Sequence, residues 1–340
     1  MKRVVTMGEM MIRLMPPNNL RFEQAGTFDV FYGGDESIVA VSLSRFGIET
    51  SYITKLPSNV FGDIAVSQLR MHGVDTSFIA RGGERIGLNF YENGAALRPS
   101  KVIYDRAHSS ISEAVPEDFD FEKIFQDAHW FHVSGITPAL SIAMEEITER
   151  ALRTAKEKGV TVSFDLNYRR KLWSQQKARE VITRLMKYVD VCIGNEEDMG
   201  ITLGLHPAGT DILKGKIDVE GYKEVFLQMK DKYGFKYIAS TLRESKSASD
   251  NGWSVILYDG KEFCRSRYYD IHLVDRGGGG AAFSAGLIYG VLKQMSLQDI
   301  ADFAGAASAL KQTVRGDFNL ITLEEIYSVL QGDLSGRVQR

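Results

Sequence analysis

The chain has 340 residues, 44% of them apolar and 25% charged, with a net charge of −3. That is the make-up of an ordinary soluble globular protein, long enough for one large α/β domain without requiring two. It gives no reason to expect nucleic acid or an anionic membrane as partner, and no stretch approaches the roughly 18 apolar residues of a membrane span.

The N-terminal run MKRVVTMGEMMIRLM carries two basic residues and then apolar ones, but Glu9 and Arg13 interrupt it and no small-residue cleavage site follows. It reads as a buried strand over residues 3–15, not a signal peptide. Residues 22–32 read as further strand closed by Gly33 and Gly34. Ile38, Val39, Val41, Leu43 and Phe46 mark a helix ending at Gly47. A strand over 50–56 and a helix over 64–72 follow. Residues 85–106 hold two alternating runs around Asn93-Gly94, which predicts a β-hairpin outside the main sheet.

From residue 119 the pattern turns to strand–helix repetition. Strands are expected at 129–134, 160–165, 189–194 and 236–241, with helices at 139–158 and 175–188. A hairpin-like stretch covers 253–268, and helices at about 297–314 and 322–331 close the chain. Such alternation predicts an α/β fold, a mostly parallel sheet covered by helices on both faces. Ligands in such sheets collect at the carboxyl ends of strands, which brings Gly34-Asp35, 167–169, 195–198, 241–243 and 277–281 to one cleft. Cys192 and Cys264 lie far apart without metal-ligand spacing and read as reduced thiols of a cytoplasmic protein.

The organising stretch is VDRGGGGAAFSAGLIYG, residues 274–290. A β-type run over 269–274 stops in four glycines, Gly277 to Gly280, and resumes with helical period through Phe283, Leu287, Ile288, Val291 and Leu292. A strand that ends so leaves unpaired N–H groups at a helix N-terminus, an anion site most often used for phosphate.

This stretch resembles that of the ribokinase-like (PfkB) sugar kinases, most closely the 2-keto-3-deoxygluconate kinases, and the resemblance runs over about residues 3–325. It implies a single ribokinase-like α/β domain over 1–340, with a small β lid from about 15–33 and 86–106, and leaves room for a homodimer through that lid. It implies ATP and Mg2+ as cofactors and a small-molecule sugar acid as ligand. In FDLNYRRKLW the resemblance makes Arg169 the carboxylate ligand, helped by Tyr104 and Arg106 of the lid and by Gly34, as suits a planar guanidinium fork. It assigns Asn195 and Asp198 of IGNEED to the magnesium and phosphates. Thr241 and Arg243 of STLRES would line the nucleotide, AASALKQT (306–313) would lie under the adenine, and Gly278, Gly279 and Gly280 would hold the transferring phosphate.

The departures from the family pattern gather on one cleft. Ala281 stands where the family has its general base Asp, Ala282 replaces Ser, and Gly277 replaces Val. Ile38 stands for a polar Asn, Asp35 for a small residue, Asn89 for an aromatic one, and Lys246 for Tyr or His. An alanine methyl cannot accept a proton. Three readings stay open. The first is a kinase crippled in phosphoryl transfer, whether natural or engineered. The second is a remodelled, aldolase-like site with Lys246 as Schiff-base amine and Asp35 or Glu36 as its acid–base partner, needing no cofactor; burial would lower the amine's pKa. The third is a non-catalytic nucleotide or sugar-acid binding protein.

Overall fold

The computed structural model describes residues 2–206 and 218–333. Along the chain run β1 (Arg3–Met7), β2 (Met11–Met15), β3 (Asp29–Gly33), α1 (Asp35–Arg45), β4 (Glu49–Ile53), β5 (Lys55–Leu56), α2 (Val60–Met71) and β6 (Ala80–Arg81). Next come β7 (Gly87–Glu92), β8 (Lys101–Asp105), α3 (Phe121–Ile124), β9 (Ala128–Ser134), α4 (Ile142–Glu157), β10 (Thr161–Asp165), α5 (Gln175–Leu185), β11 (Val191–Ile193) and α6 (Glu196–Leu203). The chain ends with α7 (Val219–Tyr233), β12 (Tyr237–Ser245), β13 (Asp250–Tyr258), β14 (Phe263–Arg265), β15 (Tyr269–His272), α8 (Gly279–Leu292), α9 (Leu297–Lys311) and α10 (Leu323–Leu330).

The main sheet has the order β14-β13-β12-β11-β10-β9-β1-β4, with β15 also on β13. The pairs from β4 through β12 are parallel, and only those made by β13 are antiparallel. Alternate residues of the strands feed two apolar cores, as the period-two rule requires of a sheet covered on both sides. Val4, Trp130, Val191 and Ala239 pack with Val39, Leu43, Phe283 and Phe303 on one face. Val5, Phe131, Cys192 and Ile238 pack with Met144, Leu152, Val181 and Phe226 on the other. The expected α/β architecture with helices on both faces is therefore the observed one.

A second sheet, β3-β2-β7-β8, forms the lid. Its strands fall inside or beside the expected spans, and β7 and β8 pair antiparallel as the hairpin reading requires. Three boundaries differ. The single strand expected over 3–15 is two strands in different sheets, parted at residues 8–10, because β1 must end where the cleft opens. The strand expected over 22–32 begins only at Asp29, after one 3-10 turn at Phe22–Gln24. The hairpin link is not a tight Asn93-Gly94 turn but the longer excursion 93–100, closed by a bridge between Ala95 and Arg98. β12 also runs on to Ser245, so the second hairpin is β12–β13 and begins earlier than the expected 253–268.

Helix starts follow local chemistry. Ser141, Ser174, Ser296 and Thr322 cap α4, α5, α9 and α10 through their hydroxyls. The cap of α8 is different. It is Gly278, in the left-handed region at φ 79°, and no side chain satisfies the N–H groups behind it. Both cysteines are free, Cys192 buried and Cys264 half-buried. Among the described residues no helix is long and apolar enough to cross a membrane.

Candidate active site

Between the lid and the carboxyl ends of the central strands lies a cleft of about 420 Å³. Its lining includes Gly34, Asp35, Ile38, Asn89, Tyr104, Arg106, Arg169, Asn195, Asp198, Thr241, Arg243 and Gly277 to Ala281. The strand-end rule thus brings together the segments the sequence singled out. Ala282 is buried behind the cleft, not on it.

The glycine run is built as a cradle. A Cβ on Gly278 would sit 2.7 Å from the carbonyl oxygen of Asp317, 3.0 Å from Lys311 Cε and 3.4 Å from Ile38 Cδ1, so that position holds only glycine. Gly280, in contrast, faces open space. Ser308 Oγ donates to the Gly279 carbonyl at 2.7 Å and pins the first turn of α8 from behind. Ala306, Ala307 and Ser308 of α9 are buried, so of the segment expected under the adenine only Gln312 reaches the cleft wall. That segment supports the cradle.

Two acid–base pairs that the sequence reading passed over as interruptions of a strand turn out to frame the site. Glu9 is buried; its Oε2 accepts from Arg106 Nε at 2.7 Å and its Oε1 from Ser109 Oγ at 2.7 Å. Arg13 on β2 is buried between Asp275 and Asp317 and lies 4.5 Å over the Tyr91 ring. A Cβ on Gly277 would collide with Arg13 Nη1, the far end of a side chain that would have to shift. Asp275 also accepts from Gly277 N and Gly316 N, each at 2.9 Å.

These pairings sort the cations. Arg13 and Arg106 are held by carboxylates, although Arg106 also stacks 5.3 Å over the Tyr104 ring at the cleft. Among the described residues Arg169, Arg243 and Arg276 have no carboxylate within ion-pair distance. Arg276 was not singled out from the sequence. Burial and the neighbouring Arg243 both push its pKa down, with Tyr91 pulling the other way.

Three carboxyl groups, Asp35, Asp165 and Asp198, feel the charge of Arg169, and a fourth, Glu36, lies next to Asp35. Burial raises Asp35, with Arg169 and Asn167 pulling it partly back, and its Oδ2 is shielded from solvent without a hydrogen-bond partner. Burial, then Asp35 and Asp198, hold Asp165 well above the usual carboxylate range. Burial lifts Asp198 to about 6, against Arg169 and the Tyr168 N–H that donates to it at 3.0 Å. Burial and then Asp35 lift Glu36 to about 7, even though its Oε1 accepts from Ser134 N, Ser134 Oγ and Thr137 Oγ1 at 2.7–2.9 Å. Asn167 holds φ 33°, a left-handed geometry that Asn tolerates, where the chain leaves β10 for the cleft.

Lys246 is not part of this site. It sits in the β12–β13 turn, 43% exposed, paired with Asp270 and 5.7 Å over the Tyr268 ring. Its hydrogen bonds to Asp270 and Tyr268 raise the pKa instead of lowering it. The expected desolvated amine, and with it Asp35 or Glu36 as that amine's partner, is corrected: β12 carries residue 246 past the rim before the chain turns.

The residues fit a nucleotide's phosphates, given free N–H groups at the cradle and the unpaired Arg243 and Arg276 beside it. Among the described residues no group of three ligating side chains converges on a metal position. Of the three acidic residues at the Asn195-capped start of α6, Asp198 is the one that lines the cleft, and it suits Mg2+, which takes one or two carboxylates and completes its shell with phosphates and water.

The pfkB family carbohydrate kinase profile matches residues 1–322. The chain is 34% identical over 336 residues to a 2-dehydro-3-deoxygalactonokinase of Haloferax volcanii, covering 98% of both chains. It is 29% identical over 330 residues to a 2-dehydro-3-deoxygluconokinase of Bacillus subtilis, covering 96% of this chain and 94% of that one. The solved 2-dehydro-3-deoxygluconokinase of Thermotoga maritima superposes with a TM-score of 0.95 at 49% identity, over 98% of this chain and 100% of the other. This chain belongs to the pfkB family of carbohydrate kinases and is closely related to its 2-dehydro-3-deoxygluconokinases.

Proposed function

We propose that this protein is a 2-keto-3-deoxy sugar-acid kinase in architecture that binds MgATP and the sugar acid but transfers the phosphoryl group slowly. The observation that carries the reading is Ala281. It lines the cleft in the first turn of α8, beside Gly280, where a base would have to stand to take the sugar hydroxyl's proton. Ile38 supplies apolar wall next to the cradle, which removes a polar partner from the substrate as well.

The remaining parts have definite roles. The cradle N–H groups and the positive end of α8 face the transferring phosphate, and Arg243 and Arg276 supply charge at its side. Arg169 offers its fork to the sugar carboxylate, with Tyr104 as neighbouring wall. When bound, Mg2+ neutralises charge on the β- and γ-phosphates as transfer proceeds. What is lost is general-base assistance, worth about 10²–10⁴ in rate. Among the described residues no lysine lines the cleft to serve the Schiff-base reading. Lys246 is outside the cleft, and Lys311, the lysine packed against the cradle, is fully buried behind it.

The test is ADP release by the unmodified chain with MgATP and 2-keto-3-deoxygluconate, alongside calorimetric titration of MgATP. The expected result is saturable nucleotide binding with little turnover. A robust sugar-dependent rate overturns the slow-transfer reading, and absence of nucleotide binding overturns the kinase reading.

A further inference from the structure

Lys311 is the last residue of α9 and has no solvent exposure. Its Nζ donates to two backbone carbonyls of the turn that follows, Val314 O at 3.2 Å and Gly316 O at 2.8 Å. A buried ammonium without a carboxylate contact is costly, since carbonyl dipoles must replace its water. The same turn is tied to the cradle strand by Val274 N to Gln312 O at 3.0 Å and Gly316 N to Asp275 Oδ2 at 2.9 Å. Lys311 Cε lies against Gly278, the residue that turns the chain into α8.

The charges facing this ammonium are Asp275 and Asp317, with Arg13 between them. With Lys311 charged, the four groups sum to zero. Without it a net negative charge stands directly behind the anion cradle. Burial pushes the Lys311 pKa down to about 8, against the pull of Asp275 and Asp317, so near neutrality the amine stays protonated.

We propose that Lys311 is a tethered monovalent cation and a positioning residue for the anion site. Its ammonium organises the 314–316 carbonyls, holds the return turn against Gly278 and cancels the charge behind the cradle. Carbonyl oxygens gathered so would accept a free monovalent cation if the tether were removed. The coupling to anion binding rests on the cleft taking a nucleotide's phosphates, so the test has two independent readouts.

Lys311→Ala is compared with the unmodified chain in choline chloride and in ammonium chloride at equal ionic strength. The unmodified chain should melt at the same temperature in both salts. The variant should melt lower in choline and recover most of the loss in ammonium, which fits the vacated cage. ADP affinity, by calorimetry, should fall about tenfold or more in choline and recover likewise, as expected when like charge is left unscreened behind an anion. Lys311→Met fills the volume without the charge. It should weaken ADP binding and lower the melting temperature, neither recovering in ammonium, and decides the matter if the alanine variant does not fold. Failure of ammonium to restore the alanine variant, or unaltered ADP affinity in Lys311→Met, overturns the proposal. If the unmodified chain binds no ADP, the nucleotide reading falls while the melting comparison still decides the cation cage.

Discussion

In the proposed function a single methyl group, at position 281 on the cleft wall, separates binding from transfer, since the groups around it suit an anion. The free N–H groups of α8, the unpaired Arg243 and Arg276 and the open side of Gly280 all point to phosphate. Lys246, by contrast, is a surface ion pair between two exposed partners, and such pairs contribute little. Lys246→Met should therefore leave the urea midpoint and any residual ADP release unchanged; a lost activity would return the amine to consideration. The residues of the cleft were legible unevenly. That Arg169, Asp198 and the glycines meet there could be read from motifs that follow strand ends. Glu9 and Arg13 could not, since a charge inside an apolar run carries no sign of its partner, and theirs lie 97 and 262 or more residues away. Lys246 was misplaced because a strand's end cannot be fixed by propensity within several residues, and here β12 runs four residues beyond the expected stop at 241.

At the scale of elements, two pieces carry the site's electrostatics. The start of α1 places Asp35 and Glu36 together in a desolvated layer. The Glu36 carboxyl is raised from 4.5 to about 7, so in the folded state it keeps a proton that the unfolded chain releases earlier. Its contribution to stability is full below pH about 4.5 and is lost as pH rises through about 7. Glu36→Gln should flatten that decline, read from denaturation midpoints across pH 4–8. An unchanged slope would mean that the carboxyl titrates normally. The second piece is β2, which delivers Arg13 from the lid sheet to Asp275 and Asp317 of the cradle. Arg13→Met leaves two buried carboxylates without their cation and should cost about 3–5 kcal/mol in chemical denaturation. Adding Asp317→Asn should recover part of that loss. A double variant no better than the single one would show that the guanidinium acts by packing alone.

For the whole molecule, the alternation of strands and helices made the parallel sheet and its two cores readable, since β4, β1, β9, β10, β11 and β12 are buried between helices on both faces. The lid was readable as a hairpin, yet its pairing of β2 with β7 joins segments some 75 residues apart and left no local trace. On the proposed reading the cleft offers the glycine cradle to a phosphate and Arg169 to a carboxylate, with Ala281 in place of the proton acceptor. A single-turnover experiment tests that account most directly: excess protein with limiting labelled MgATP and saturating 2-keto-3-deoxygluconate, run for the unmodified chain and for Ala281→Asp. The account predicts that both bind, and that the unmodified chain transfers more slowly within the range of about 10²–10⁴ that a general base supplies, with recovery incomplete because Ile38 remains. Equal transfer rates in the two proteins would contradict it.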